Sequence, residues 1–188
     1  MNQNRSLSTR KLVFTALMAA LTVAGSAIRV KVPSAIAGTN AIHLGNIMCA
    51  LSGILLGPQL GGLAAGLGSA IYDMFDPMYI AEAWLTFLMK GAYGLVAGLI
   101  VHSGKGKWNY GKATVASAAG AVLYAGLYLA KSYFKGIYVK GLTTAASLLA
   151  LVEKVPPTVF NAAVAIIFAP ILAIAIRKAL EKNHLTLE

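Results

Sequence analysis

A lysine in the middle of an apolar run poses the first chemical question in this chain. Lys90 interrupts the stretch from Ala83 to Val101, and a charge at mid-span costs on the order of 2.5–3.5 kcal/mol, so it faces a partner or a wet cavity. Glu82, Thr86, Lys90 and Tyr93 stand at i, i+4, i+8 and i+11, which aligns them on one helical face. Two readings follow: the face lines a cavity, or Lys90 pairs with Asp73 or another buried acid.

Asn40, His43 and Asn46 lie at the start of another apolar run, with His43 and Asn46 one turn apart. Their amide and imidazole groups suit a polar heterocycle, and they equally suit capping and packing of a helix end. Tyr79, Trp84, Tyr124 and Tyr128 have faces that stack on a planar ring, or they form an interfacial belt. Asn161, one turn inside the last apolar run, is polar in lipid and is expected to face inward. The candidate substrate-binding set is Asn40, His43, Asn46, Asp73, Tyr79, Glu82, Trp84, Thr86, Lys90, Tyr128 and Asn161.

Catalytic chemistry finds little support. The His-Glu-x-x-His and Gly-x-Ser-x-Gly patterns are absent, and His43, His102 and His184 fall in three different segments. Residues 106–113 resemble a phosphate-binding loop, but Ala113 stands where a hydroxyl would hold magnesium and no strand precedes it. This segment reads as a solvated basic loop. A single cysteine, Cys49, allows neither an intrachain disulfide nor a multi-cysteine metal site. The expectation is therefore no enzyme, no cofactor and no metal; any ATP would be hydrolysed by another subunit.

These residues must be positioned by membrane elements. Of 188 residues, 58% are apolar and 12% charged, about half the charge of an ordinary soluble domain; the mean hydropathy is +0.72. The net charge of +10 would suggest nucleic acid in a soluble domain, but the cations sit between apolar runs, as in loops bordering anionic lipid. A helix needs roughly 20 apolar residues to cross a bilayer. The runs at 12–28, 42–56, 59–74, 83–101, 113–130 and 158–176 predict an all-α integral membrane protein, a six-transmembrane-helix bundle forming one domain over residues 1–188.

Between these runs, residues 32–40 read as a loop able to fold back over the bundle. Residues 131–140 read as an interfacial segment, and 143–152 as a short outer loop helix ended by Pro156 and Pro157. Gly57-Pro58 reads as a helix end followed by a helix start. The spacings Gly57-xxx-Gly61, Gly62-xxx-Gly66 and Gly94-xxx-Gly98 suit close helix contacts. Cytoplasmic termini place nine Lys or Arg inside and six outside, which fits the positive-inside bias and puts Asp73, Asp76, Glu82 and Glu153 outside with the 32–40 loop. On the first span Ala16, Ala20 and Ala24 recur every fourth residue, a flat strip for internal packing or for docking another membrane helix.

In the order and layout of these features the chain resembles the S component, the substrate-binding subunit, of energy-coupling factor (ECF) vitamin transporters, in the branch with riboflavin, hydroxymethylpyrimidine and pyridoxine or pyridoxamine proteins. The residues carrying the resemblance are Ala16-xxx-Ala20, His43-Leu-Gly-Asn46, the Leu56-Gly-Pro58 turn with Gly61 to Asp73 after it, and Phe87-Leu-Met-Lys90-Gly91 with Gly94 and Gly98. The resemblance implies a bundle in the cell membrane that captures a vitamin or precursor from outside under a lid at 32–40. It also implies partners, a transmembrane T subunit and two ATPases, with Ala16, Ala20 and Ala24 as the docking strip and transport by toppling of the bundle. Asp73 and Glu82 would favour a substrate carrying an amine. The rival classes are a stand-alone ion-coupled carrier or channel, using Asp73, Glu82 and Lys90 as a coupling path, and a scaffold without a small-molecule ligand.

Overall fold

The computed structural model describes residues 9–36, 38–104 and 108–183; His184 and residues 105–107 of the basic loop lie outside them. In chain order the elements are α1 (Thr9–Ala27), β1 (Arg29–Ser34), β2 (Gly38–His43), α2 (Gly45–Leu56), α3 (Pro58–Phe75), a 3₁₀ turn at Ile80–Glu82, α4 (Ala83–Val101), α5 (Tyr110–Tyr138) and α6 (Thr144–Lys182). Among the described residues four segments are long and apolar enough to cross a membrane: α1, α4 with its preceding turn, α5 and α6. Apolar α2 has only 12 residues, about 18 Å of helix against roughly 30 Å of hydrocarbon. Glycine-rich α3 has 18 residues and is less apolar. The six expected spans thus correspond to six helices of unequal reach.

The burial pattern is that of a lipid-facing bundle. Small residues such as Ala50, Ala64, Ala97, Ala116 and Ala169 are fully buried, whereas Leu12, Leu88, Val122, Phe160 and Ile167 are exposed. Small side chains let backbones approach, which drives association where lipid is as apolar as leucine. A Cβ on Gly94 would come within 2.7 Å of the Gly61 carbonyl oxygen, and one on Gly61 within 2.5 Å of Gly53 Cα. The expected glycine faces therefore join α2, α3 and α4 backbone to backbone. Gly57 does a different job: at φ +80° it ends α2, and Pro58 opens α3, as the pair of breakers predicts.

Three connections differ from the sequence reading. The described part of 32–40 belongs to an antiparallel β-hairpin, with Arg29 opposite His43 and Ser34 opposite Gly38; Val30 and Val32 favour extended backbone, and Pro33 is tolerated on an edge strand. Asn40 and His43 therefore sit on β2, and only Asn46 is helical. α5 runs through the expected interfacial segment to Tyr138, because no proline intervenes and Gly136 keeps helical backbone; the left-handed glycine comes only after it, Gly141 at φ +63°. Finally, the expected loop helix and last span are one helix, α6, with Pro156, Pro157 and Pro170 inside it.

At Pro157 the helix continues because the freed carbonyl finds another donor, as membrane helices permit. Pro157 has no N–H to give the Glu153 carbonyl, and Asn40 Nδ2 donates to that oxygen at 3.1 Å. One residue on, Thr158 Oγ1 donates to the Lys154 carbonyl. Both long helices exceed the hydrocarbon thickness, α5 at about 44 Å and α6 at about 58 Å. They extend beside the hairpin at the end of the bundle where Arg29, Asp73, Asp76, Glu82 and Glu153 meet.

Candidate functional site

The short α2 begins below the end of its neighbours, and the hairpin roofs the hollow that results. The cavity so formed, about 80 Å³, is lined from every helix: Ser26 of α1, Asn46 of α2, Ser69 and Asp73 of α3, Thr86, Met89 and Lys90 of α4, Tyr124, Tyr128 and Lys131 of α5, and Pro157, Thr158 and Asn161 of α6. Arg29, Asn40, Ala41 and His43 complete it from the hairpin, with Tyr79 from the α3–α4 link.

Lys90 is 3% exposed. Its ammonium donates to Asn46 Oδ1 and lies 4.0 Å from the centroid of the Tyr124 ring. No ion pair holds it among the described residues; Asp73, the acid expected for that part, faces Arg29 instead at 3.9 Å. A buried ammonium held only by an amide and a ring is expensive for the fold. Tyr93, Tyr124 and Tyr128 form a staircase of stacked rings with centroids 6.1 and 6.0 Å apart. Beside these rings Asn40 Oδ1 is buried without a hydrogen-bond partner among the described residues, an acceptor left over for a guest.

His43 is neutral and oriented. Burial, then the positive charges of Lys90 and Arg29, push it well below the ordinary histidine value. Its Nδ1 accepts the Gly45 N–H at 3.1 Å, which leaves Nε2–H as the donor. Asn161 works first for the hairpin, accepting from the His43 N–H at 3.0 Å and donating to the Ala41 carbonyl at 2.9 Å. Glu153 holds the hairpin tip, accepting from Ser34 Oγ and from the Ile36 N–H.

Arg29, which the sequence reading treated only as the end of the first run, is the hub of the cavity mouth. Its guanidinium lies 4.3 Å over Tyr72 and 5.1 Å from the Tyr79 ring, donates to the Ser26 carbonyl, and faces Asp73 and Asp76. The readable signal was compositional: Tyr72, Asp73, Asp76 and Tyr79 crowd eight positions and invite one planar cation.

Of the eleven candidates, Asn40, His43, Asn46, Asp73, Tyr79, Thr86, Lys90, Tyr128 and Asn161 line the cavity. Glu82 does not; it bridges Lys131 and Lys135 and lines a second, outer cavity. Trp84 lines neither and is 63% exposed, because it points away from the face carrying Lys90, so it suits an interfacial anchor rather than a ligand contact. Ser26, Arg29, Ser69 and Lys131 are lining residues that the sequence reading did not select. Ala16, Ala20 and Ala24 are all exposed, opposite the buried Thr15, Met18 and Thr22.

A family model described as "ECF-type riboflavin transporter, S component" matches residues 6–178. A Pyrococcus woesei protein described as "Uncharacterized protein in gap 3'region" is 32% identical over 114 residues, which span 61% of this chain and 72% of that relative.

Proposed function

The chain belongs to the ECF-type riboflavin transporter S-component family, a family of vitamin-binding transporter subunits rather than enzymes, and on that premise we propose that its cavity holds one planar heterocyclic vitamin or vitamin precursor. The observation that carries this reading is Lys90: a buried ammonium without a carboxylate partner among the described residues, set with Asn46, Asn40, neutral His43 and stacked tyrosines in a roofed cavity. Buried polar groups of that cost are kept where they do work on a ligand. Ring nitrogens and carbonyls of a heterocycle match the amides and the ammonium, while its face matches Tyr124 and Tyr128.

The amine preference expected from the acids is dropped, since Asp73 is engaged by Arg29 and Glu82 by two lysines. The candidates tested first are riboflavin, after the family description, then hydroxymethylpyrimidine, pyridoxine and pyridoxamine. The cavity is smaller than the apolar cavity of about 150 Å³ that takes a benzene, so a ring enters only as the hairpin lifts, and a longer guest extends outward past Tyr79 and Tyr128. In this reading six helices cross the membrane with cytoplasmic termini, and the hairpin faces outward as the lid. The exposed Ala16, Ala20 and Ala24 strip docks the transmembrane T subunit, which couples the bundle to two ATPases.

Native mass spectrometry of the purified chain, followed by calorimetric titration with the four compounds, tests the proposal. One compound bound at a single site, with Lys90→Met weakening it, is the expected result. No binding to any of them overturns it, and flux in proteoliposomes lacking an ATPase would favour a stand-alone carrier.

A further inference from the structure

Directly outward of the inner cavity lies a second one of about 250 Å³. The two share Tyr79, Tyr128 and Lys131 as a common throat. The outer cavity is lined by Lys131, Lys135, Lys140 and Lys154, against one lining carboxylate among the described residues, Glu82. That carboxylate is already shared by Lys131 and Lys135.

Lys154 has no carboxylate partner among the described residues. Its ammonium donates to the Tyr128 hydroxyl at 3.3 Å and lies 5.0 Å from that ring's centroid, while Lys131 sits 5.4 Å from the same centroid. Two ammoniums thus flank the ring that forms the throat. Beside it Ser132 Oγ is buried and makes no hydrogen bond of good geometry among the described residues. Ile36 and Thr39 of the hairpin form the opposite wall, so the lid covers this cavity as well.

Like charges gathered in a partly enclosed space repel one another and attract an anion. Several ammoniums with a spare hydroxyl donor suit the clustered acceptor oxygens of a phosphate better than a single carboxylate. We propose that the outer cavity binds a phosphate monoester carried by the heterocycle whose ring occupies the inner cavity. The proposal rests on the vitamin-binding reading above and narrows its substrate class.

The test uses the full chain in detergent and pairs of probes: riboflavin and its 5′-phosphate, pyridoxine and its 5′-phosphate, hydroxymethylpyrimidine and its phosphate. In at least one pair the ester binds at least about tenfold more tightly at low ionic strength, and the advantage shrinks in about 0.5 M salt. Lys154→Gln brings the ratio of the two affinities close to one. If that variant does not fold, Lys140→Gln, at an exposed position, supplies the same readout.

Equal affinities within every pair, or an advantage indifferent to these lysines, overturn the proposal. Binding of neither member of any pair removes the vitamin reading instead. The outer cavity is then judged by inorganic phosphate alone: a thermal shift lost in Lys154→Gln retains an anion site, and no shift eliminates it. Loss of the ester's advantage in nanodiscs of phosphatidylglycerol, but not of phosphatidylcholine, assigns the cavity to a lipid headgroup and overturns the substrate assignment.

Discussion

At the scale of single residues, cost and function separate most clearly at Lys90. A structural lysine would have an acid to neutralise it, and the acid expected, Asp73, belongs to Arg29. Apolar replacement of a buried ion pair is often neutral or stabilising because it removes the desolvation cost, and an ammonium with no carboxylate to repay that cost has less to lose. Lys90→Met is therefore expected to leave the thermal midpoint unchanged or raised while weakening ligand binding by about 1.5–3 kcal/mol, the range for a hydrogen bond to a charged group; calorimetry on the same preparations measures both. Loss of stability with unchanged affinity would return Lys90 to the fold. Asp76 makes the opposite case, a carboxylate retained for structure. Burial alone would raise its pKa, but the Met78 N–H and then Lys31 and Arg29 outweigh it, and the group lies below its ordinary value of 3.8. Its stabilising contribution is thus complete above that value and is lost as pH falls through the lower, folded one. Thermal scans should show the wild type more stable than Asp76→Asn at neutral pH, with the gap closing below about pH 4.

At the scale of elements, the hairpin and α6 are one device. Asn161 ties β2 at two backbone positions, Glu153 ties the tip, and Asn40 repairs the carbonyl that Pro157 leaves open. The hairpin is consequently fastened by polar contacts, β2 and the tip to α6 and β1 to the end of α3 through Arg29 and Lys31, and few of its side chains are fully buried, which is the composition of a segment that opens below the global unfolding free energy. Asn161→Leu removes both backbone ties, each worth about 1–3 kcal/mol when its partner is left buried and unpaired. Hydrogen exchange should accelerate in residues 29–43 by tenfold or more, on the order of the conversion for 1.4 kcal/mol, while α2 to α4 stay protected. Uniform acceleration across the bundle would make Asn161 a residue of the global core.

At the scale of the whole molecule, α1 presents two faces with different employment. Thr15, Met18, Thr22 and Gly25 pack inward, whereas Ala16, Ala20 and Ala24 leave a smooth surface exposed among the described residues. An Ala16→Trp/Ala20→Trp double variant is expected to abolish uptake in cells containing the ATPase module and to leave ligand affinity of the isolated chain within about twofold, since the strip touches neither cavity. Loss of binding together with uptake would make the strip part of the fold.

Hydropathy, glycine spacing and the single intramembrane charge were enough to read a membrane bundle, glycine faces for tight helix packing and nine of the lining residues, because the cost of polarity in lipid forces Lys90, Asn46 and Asn161 inward wherever the helices go; which helices those glycines join was decided by the fold. The Gly57-Pro58 joint was legible for the same local reason, a backbone need met by residue type. Local sequence could not decide the continuity of α6, since a proline breaks a helix only if nothing else donates to the freed carbonyl, and the donor, Asn40, is 113 positions away. Nor could it decide which cation each acid takes: Asp73 was open to Lys90 and went to Arg29, and Glu82 left the Lys90 face for two lysines of α5. Those pairings depend on distances set by the short α2 and the folded-back hairpin, and therefore only the tertiary structure turned an apparently acidic mouth into a basic one.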